Sequence, residues 1–160
     1  MTELANTSAS STSTDEPAPR ARITANLSKG ITNTGTEGVP LIRQLALINL
    51  ACVALQPISA GFFLSGYDYA VSAHAGVALA LQLGVVIQAV AAIVLWRRNR
   101  APAWVAGISM GLFVMVFLQA GLGYSRRYWL HVPVGVGIFG WLTRQVNRLD
   151  TLRNKNAARS

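Results

Sequence analysis

The sequence predicts an all-α fold, an integral membrane four-helix bundle built from two repeated helical hairpins. Three observations predict it. Of 160 residues, 52% are hydrophobic and only 12% charged, and the mean hydropathy of +0.38 stands well above soluble-domain averages. Four apolar stretches, at about 41–64, 71–96, 102–123 and 128–143, approach the roughly 20 residues that a helix needs to cross the hydrocarbon core, the fourth being the shortest. One pattern occurs twice. Leu55-Gln56 closes an apolar run, Gly61 follows, and after a turn at 66–69 comes His74, two residues before Gly76. Leu118-Gln119 likewise closes a run, and after Gly121, Gly123 and a basic turn comes His131.

Backbone amides must find their partners within lipid, and these stretches do not alternate as barrel strands do, so each is read as a helix. Residues 1–38, rich in Ser, Thr, Ala, Asn and Pro, are expected to be a disordered cytoplasmic tail, with no apolar cluster to offset the entropy of ordering them. They lack the charged-then-apolar order of a secretory signal. Residues 39–145 form the expected membrane domain, and 146–160 a basic cytoplasmic C-terminal tail, the end of a fraying helical extension that starts at Thr143. Gly76, Ala80 and Gly84 on the second helix, and Gly107 and Gly111 on the third, recur every fourth residue as faces for close helix packing. Gly135, Gly137 and Gly140 serve the same purpose on the fourth, and also leave room for a flat ligand below His131. Trp96 and Trp104 toward one side, with Tyr67, Tyr69, Tyr124, Tyr128 and Trp129 toward the other, fit interfacial belts.

Twelve of the fourteen basic residues fall in the tails, the start of the first helix and the second connection, and only Arg126 and Arg127 in the third. The positive-inside rule then predicts a multi-pass protein of the inner (plasma) membrane with both termini cytoplasmic. Topology thus accounts for the net charge of +8, and nucleic-acid binding is not expected. The single Cys52 excludes a disulfide framework and a multi-cysteine metal site. No Gly-rich phosphate loop, activated Ser or Cys nucleophile, or intramembrane carboxylate pair is present, which excludes a soluble-type enzyme and leaves a redox subunit open.

The histidines carry the candidate chemistry. A lone histidine near a helix end commonly just wets its ring, but His74 and His131 share a shallow depth beneath one surface. Neutral imidazole is a ligand for haem iron, and ionisable residues within membrane helices are functional candidates. Facing each other across the bundle, the two supply both axial positions of a b-type haem. Helices in contact lie about 8–10 Å apart, so this needs the second and fourth helices to be diagonal or spread. Arg126 and Arg127, five and four residues before His131, stand where haem propionates would emerge, with snorkelling to lipid phosphate as the alternative. Gln56 and Gln119 are expected to cap helix ends or bond between helices, and Asp68 to serve the turn.

The run Gln119-Ala-Gly-Leu-Gly-Tyr-Ser-Arg-Arg followed by His131 resembles the glutamine, glycine, basic-loop and histidine order in each half of haem A synthase, a likeness covering about residues 41–145. The resemblance implies a four-helix half whose second and fourth helices hold a haem, carried here by His74 and His131. The chain departs from that family in having one half, no acidic residue in its first span and no outer cysteine pair, so haem binding carries over and oxidation of a haem methyl group does not. Small bis-histidine b-type membrane cytochromes compare equally well. Three readings follow: a haem-b protein for electron transfer or haem handling, a cofactor-free accessory subunit of a larger membrane complex, and a small transporter. The expected partners are membrane lipid and a redox partner or larger complex.

Overall fold

The computed structural model describes residues 35–158, and among these it contains four helices and no strand: α1 (Val39–Leu64), α2 (Tyr69–Arg97), α3 (Ala103–Tyr124) and α4 (Tyr128–Ala157). Of the tail expected over 1–38, residues 1–34 lie outside the described residues. Punctuation in the sequence sets the helix ends. Pro40 occupies the first turn of α1, where its missing N–H costs no helical bond, and the extended Pro102 opens α3. At the far end of α1 the Ser65 and Tyr67 amides turn back onto the Gly61 and Phe62 carbonyls, with Gly66 in the left-handed region at φ 91°. The end of α3 repeats this bonding through Ser125 and Arg127 onto Gly121 and Leu122, but there Arg126 holds φ 55°. Either way the last carbonyls of the helix are satisfied and the chain reverses within a few residues.

Each helix buries a narrow stripe. On α1 it is Ile42, Ala46, Asn49 and Val53; on α2 Leu81, Val85, Gln88 and Ala92; on α4 Ile138, Leu142, Gln145 and Leu149. The opposite faces are apolar too: Leu79, Leu83, Ile87 and Val90 are each more than half exposed. A helix apolar all round belongs in a membrane or a large core. α1, α2 and α3 are each long and apolar enough to cross a membrane. α4 is apolar only in its N-terminal half, and beyond Thr143 it carries Arg144, Arg148, Asp150 and Arg153. The helices pack in a ring, α1 beside α2 and α4 and α3 beside the same two, so α2 and α4 stand on a diagonal.

Lipid gives apolar side chains no reason to leave it for one another, so cohesion between helices rests on close packing and polar bonds. One polar layer crosses the bundle with a residue from every helix. Asn49 donates to Gln88 (2.9 Å), Gln88 donates to Ser109 (3.2 Å) and to the Gln145 carbonyl (3.1 Å), and Gln145 donates to Ser109 (3.3 Å). All four side chains are shut off from solvent. The Asn49 Oδ1 has no hydrogen-bond partner and occupies the space that a side chain on Gly84 would need.

Past this layer α4 continues unbroken, because Val146 and Leu149 keep the buried spacing. There the Arg43 guanidinium donates to Asp150 through Nε (2.5 Å) and Nη2 (3.4 Å), tying α1 to α4. Arg43 holds the Asp150 carboxyl below its ordinary value, mainly through that hydrogen bond. A lowered carboxyl value means that the contribution is present at neutral pH and fades as pH falls through the folded value. Asp150→Asn therefore lowers the melting temperature at pH 7 in detergent, and the difference from the parent shrinks below about pH 4. A difference independent of pH would show that the ion pair contributes nothing.

Candidate functional site

Short-range bonding at the hairpin-tip end of the bundle fixes the orientation of both histidines. Ser59 follows Pro57 in α1, and its hydroxyl lies against the carbonyls of Gln56 (2.9 Å) and Leu55 (3.1 Å) while its oxygen stands 3.1 Å from His74 Nδ1. A hydroxyl has one proton, and with it directed at those carbonyls the Ser59 oxygen accepts from His74. The Gln56 carbonyl is a further acceptor against the same ring. Across the bundle, His131 Nδ1 lies 3.0 Å from the Gln119 carbonyl, which can only accept. In a neutral ring these contacts select the tautomer with the proton on Nδ1 and the lone pair on Nε2.

The rings approach each other from the diagonal helices, their centroids 6.4 Å apart and their planes inclined by 53°. Two imidazoles on opposite sides of one metal, each bonding at about 2.0–2.1 Å, place their centroids roughly 6 Å apart, so the spacing suits one metal held between both. Among the described residues no group of three His, Cys, Asp or Glu side chains gathers to hold a metal ion. The pair therefore offers two donors and no third.

Glycines shape the surroundings. A Cβ on Gly123 would stand 3.0 Å from His131 Cε1 and 3.2 Å from Nδ1, so that edge of the ring lies close against the Gly123 backbone. Gly135 is filled from the other direction: the Gln119 amide occupies its side-chain space at 3.0 Å and donates to the His131 carbonyl at 2.6 Å. Of the glycines expected to make room for a flat ligand, Gly135 instead makes room for Gln119, which bonds between helices. Gly76 and Gly121 have open space where a Cβ would project. The Oε1 atoms of Gln56 and Gln119 are buried without a hydrogen-bond partner.

Arg126 and Arg127 lie exposed in the α3–α4 connection, and neither side chain pairs with a carboxylate among the described residues. The Arg127 carbonyl accepts the His131 amide at 3.0 Å, so the basic turn leads directly into the helix that carries His131. Asp68 precedes α2 without a side-chain capping bond.

Fold and composition define the class as a membrane protein, all-helical among the described residues, with two imidazoles close together and tilted near one end. No protein-family model, curated protein or solved structure matches the chain. Sequence reasoning missed Ser59 and the whole layer of Asn49, Gln88, Ser109 and Gln145. The available signal was the amides and hydroxyls inside the first three apolar runs and just beyond the fourth, where a polar side chain needs a partner. Pairing them required knowing which helix faces meet.

Proposed function

We propose that this protein binds a b-type haem between His74 and His131, for electron transfer or haem handling, in a bundle whose four helices all span the membrane. The observation that carries the reading is the approach of the two imidazoles from diagonal helices, with ring centroids 6.4 Å apart. Ligating histidines characteristically donate their other ring nitrogen to a carbonyl, carboxylate or water, which fixes the tautomer; the Gln119 carbonyl and Ser59 hydroxyl are placed for that task. When bound, such a group supplies a one-electron couple whose potential the axial ligands and surroundings tune. Ser59 and the Gln119 carbonyl hold the ring orientations, and the exposed Arg126 and Arg127 in the connection before His131 would meet the propionates. Arg126 supports this role further, since a non-glycine residue at φ 55° costs roughly 1–2 kcal/mol that glycine would avoid. The test is the visible spectrum of protein purified from haem-replete cells, where a reduced low-spin b-type spectrum is expected. Colourless protein would favour the accessory-subunit reading.

The repeat reading draws support from burial. Leu81, Val85, Gln88, Ala89 and Ala92 on α2 are each matched 57 positions later by Ile138, Leu142, Gln145, Val146 and Leu149 on α4, the separation that also relates His74 to His131. Ile42, Ala46, Asn49, Val53 and Gln56 on α1 share their spacing with Val105, Ser109, Leu112, Val116 and Gln119 on α3. The proposed orientation keeps both termini in the cytoplasm of a cell with this protein in its inner membrane, following the basic residues. Reporter tags fused at Ser160 and inserted at Gly66 are expected to report opposite sides. Like labelling of both sites would overturn the four-span topology.

A further inference from the structure

We infer that the groove between α3 and α4 is a binding site for an anionic glycerophospholipid, with Arg144 and Arg148 holding the phosphate. An open cavity of about 450 Å³ is lined by Ile108, Gly140, Trp141, Arg144, Gln145 and Arg148. The arginines are four residues apart on one helix and so present two guanidinium groups along the same face. No carboxylate among the described residues pairs with either, whereas the neighbouring Arg43 and Arg153 share Asp150. The cavity thus joins an uncompensated double positive charge to an apolar floor. Its position matches that division, since the apolar half of α4 ends at Leu142 and the charges begin one turn beyond Gly140. The floor is open at Gly140, where a Cβ would meet nothing within 4 Å, and Gly111 lets the Trp141 ring lie against the α3 backbone.

One ligand satisfies both halves. A phosphodiester accepts forked hydrogen bonds from guanidinium groups, and an acyl chain attached to it continues along the apolar wall, as at basic pockets between membrane helices. A free phosphate would leave the apolar wall unused, and a neutral lipid would leave the arginines uncompensated. The inference rests on membrane placement of the bundle and not on the haem.

Native mass spectrometry of the full-length protein in mixed micelles of phosphatidylglycerol and phosphatidylcholine tests it. One phosphatidylglycerol retained per chain is expected, with phosphatidylcholine and water-soluble glycerol phosphate failing to compete. Arg144→Gln with Arg148→Gln should weaken retention about 25-fold, each basic contact being worth about a five-fold change toward an anionic lipid. Gly140→Ile projects into open space, so it should fold normally and displace the lipid by filling the groove, while Arg97→Gln with Arg98→Gln should leave retention unchanged. Equal loss in both arginine pairs would reduce the effect to general surface charge and overturn the site. Displacement by glycerol phosphate, or conversion of a dimer to a monomer in Gly140→Ile with no lipid released, would also overturn it, assigning the groove to a soluble anion or a second copy.

Discussion

Alanine at His74 or at His131 removes the low-spin b-type spectrum expected of the native protein, leaving either colourless protein or a five-coordinate, high-spin form. On the haem proposal two strong-field imidazoles would hold the iron, and losing one would leave it a ligand short, since among the described residues no third His, Cys, Asp or Glu gathers with them. Membrane insertion persists in both variants, because neither ring is needed to satisfy helical backbone bonds. Ser59→Ala keeps both donors but frees the His74 tautomer, so the spectrum stays low-spin while haem affinity falls about 10- to 100-fold. Arg126→Ala or Arg127→Ala weakens retention without changing spin state, since a propionate contact lies outside the coordination sphere. Absorption spectra of the reduced proteins, with haem titration of the apoproteins, distinguish these cases. A spectrum indifferent to both histidines would remove them from the site.

Leucine at Gln88 produces the largest expected loss of stability in the bundle. Gln88 is the hub of the buried layer, accepting from Asn49 and donating to Ser109 and Gln145. Interhelical bonds in membranes average about 0.6 kcal/mol each, which alone would give a modest effect. The larger part comes from the Asn49 amide and the Gln145 carbonyl left buried and unpaired, at about 1–3 kcal/mol each, so a total near 3 kcal/mol is expected. Ser109→Ala spares the Gln88–Gln145 bond and should cost about 1 kcal/mol. Gly84→Ala attacks the same layer through shape: its methyl group collides with the Asn49 carboxamide, and overpacking of this kind costs about 1–3 kcal/mol. Unfolding by sodium dodecyl sulfate in mixed micelles measures all three. If Gln88→Leu unfolds at the same detergent fraction as the parent, the layer is not holding the helices together.

Much of this molecule is written in local features. The four apolar runs forecast the helices to within about two residues at most ends, because a chain in lipid has few ways to satisfy its amides other than a helix long enough to cross. The C-terminal end of α4 was legible only as a fraying extension, since what holds it is Asp150 meeting Arg43 from a helix 107 residues earlier. The histidines were legible as candidates, because a titratable ring in an apolar run demands a reason. Their facing was expected from their shared depth on the condition that α2 and α4 be diagonal, and that condition was met only in the fold, as a matter of how four stripes pack around one axis. The same holds for the glycines. As a sequence pattern Gly84, Gly123 and Gly135 read alike as small residues, yet in the fold each receives a different side chain, Asn49, His131 and Gln119, from another helix. By itself the sequence determined where the chain is helical and which stretches are apolar enough for lipid, since both follow from neighbours along the chain. Only the tertiary structure decided which polar atoms meet, because in lipid that choice rests on interhelical hydrogen bonds and close packing between residues far apart in sequence.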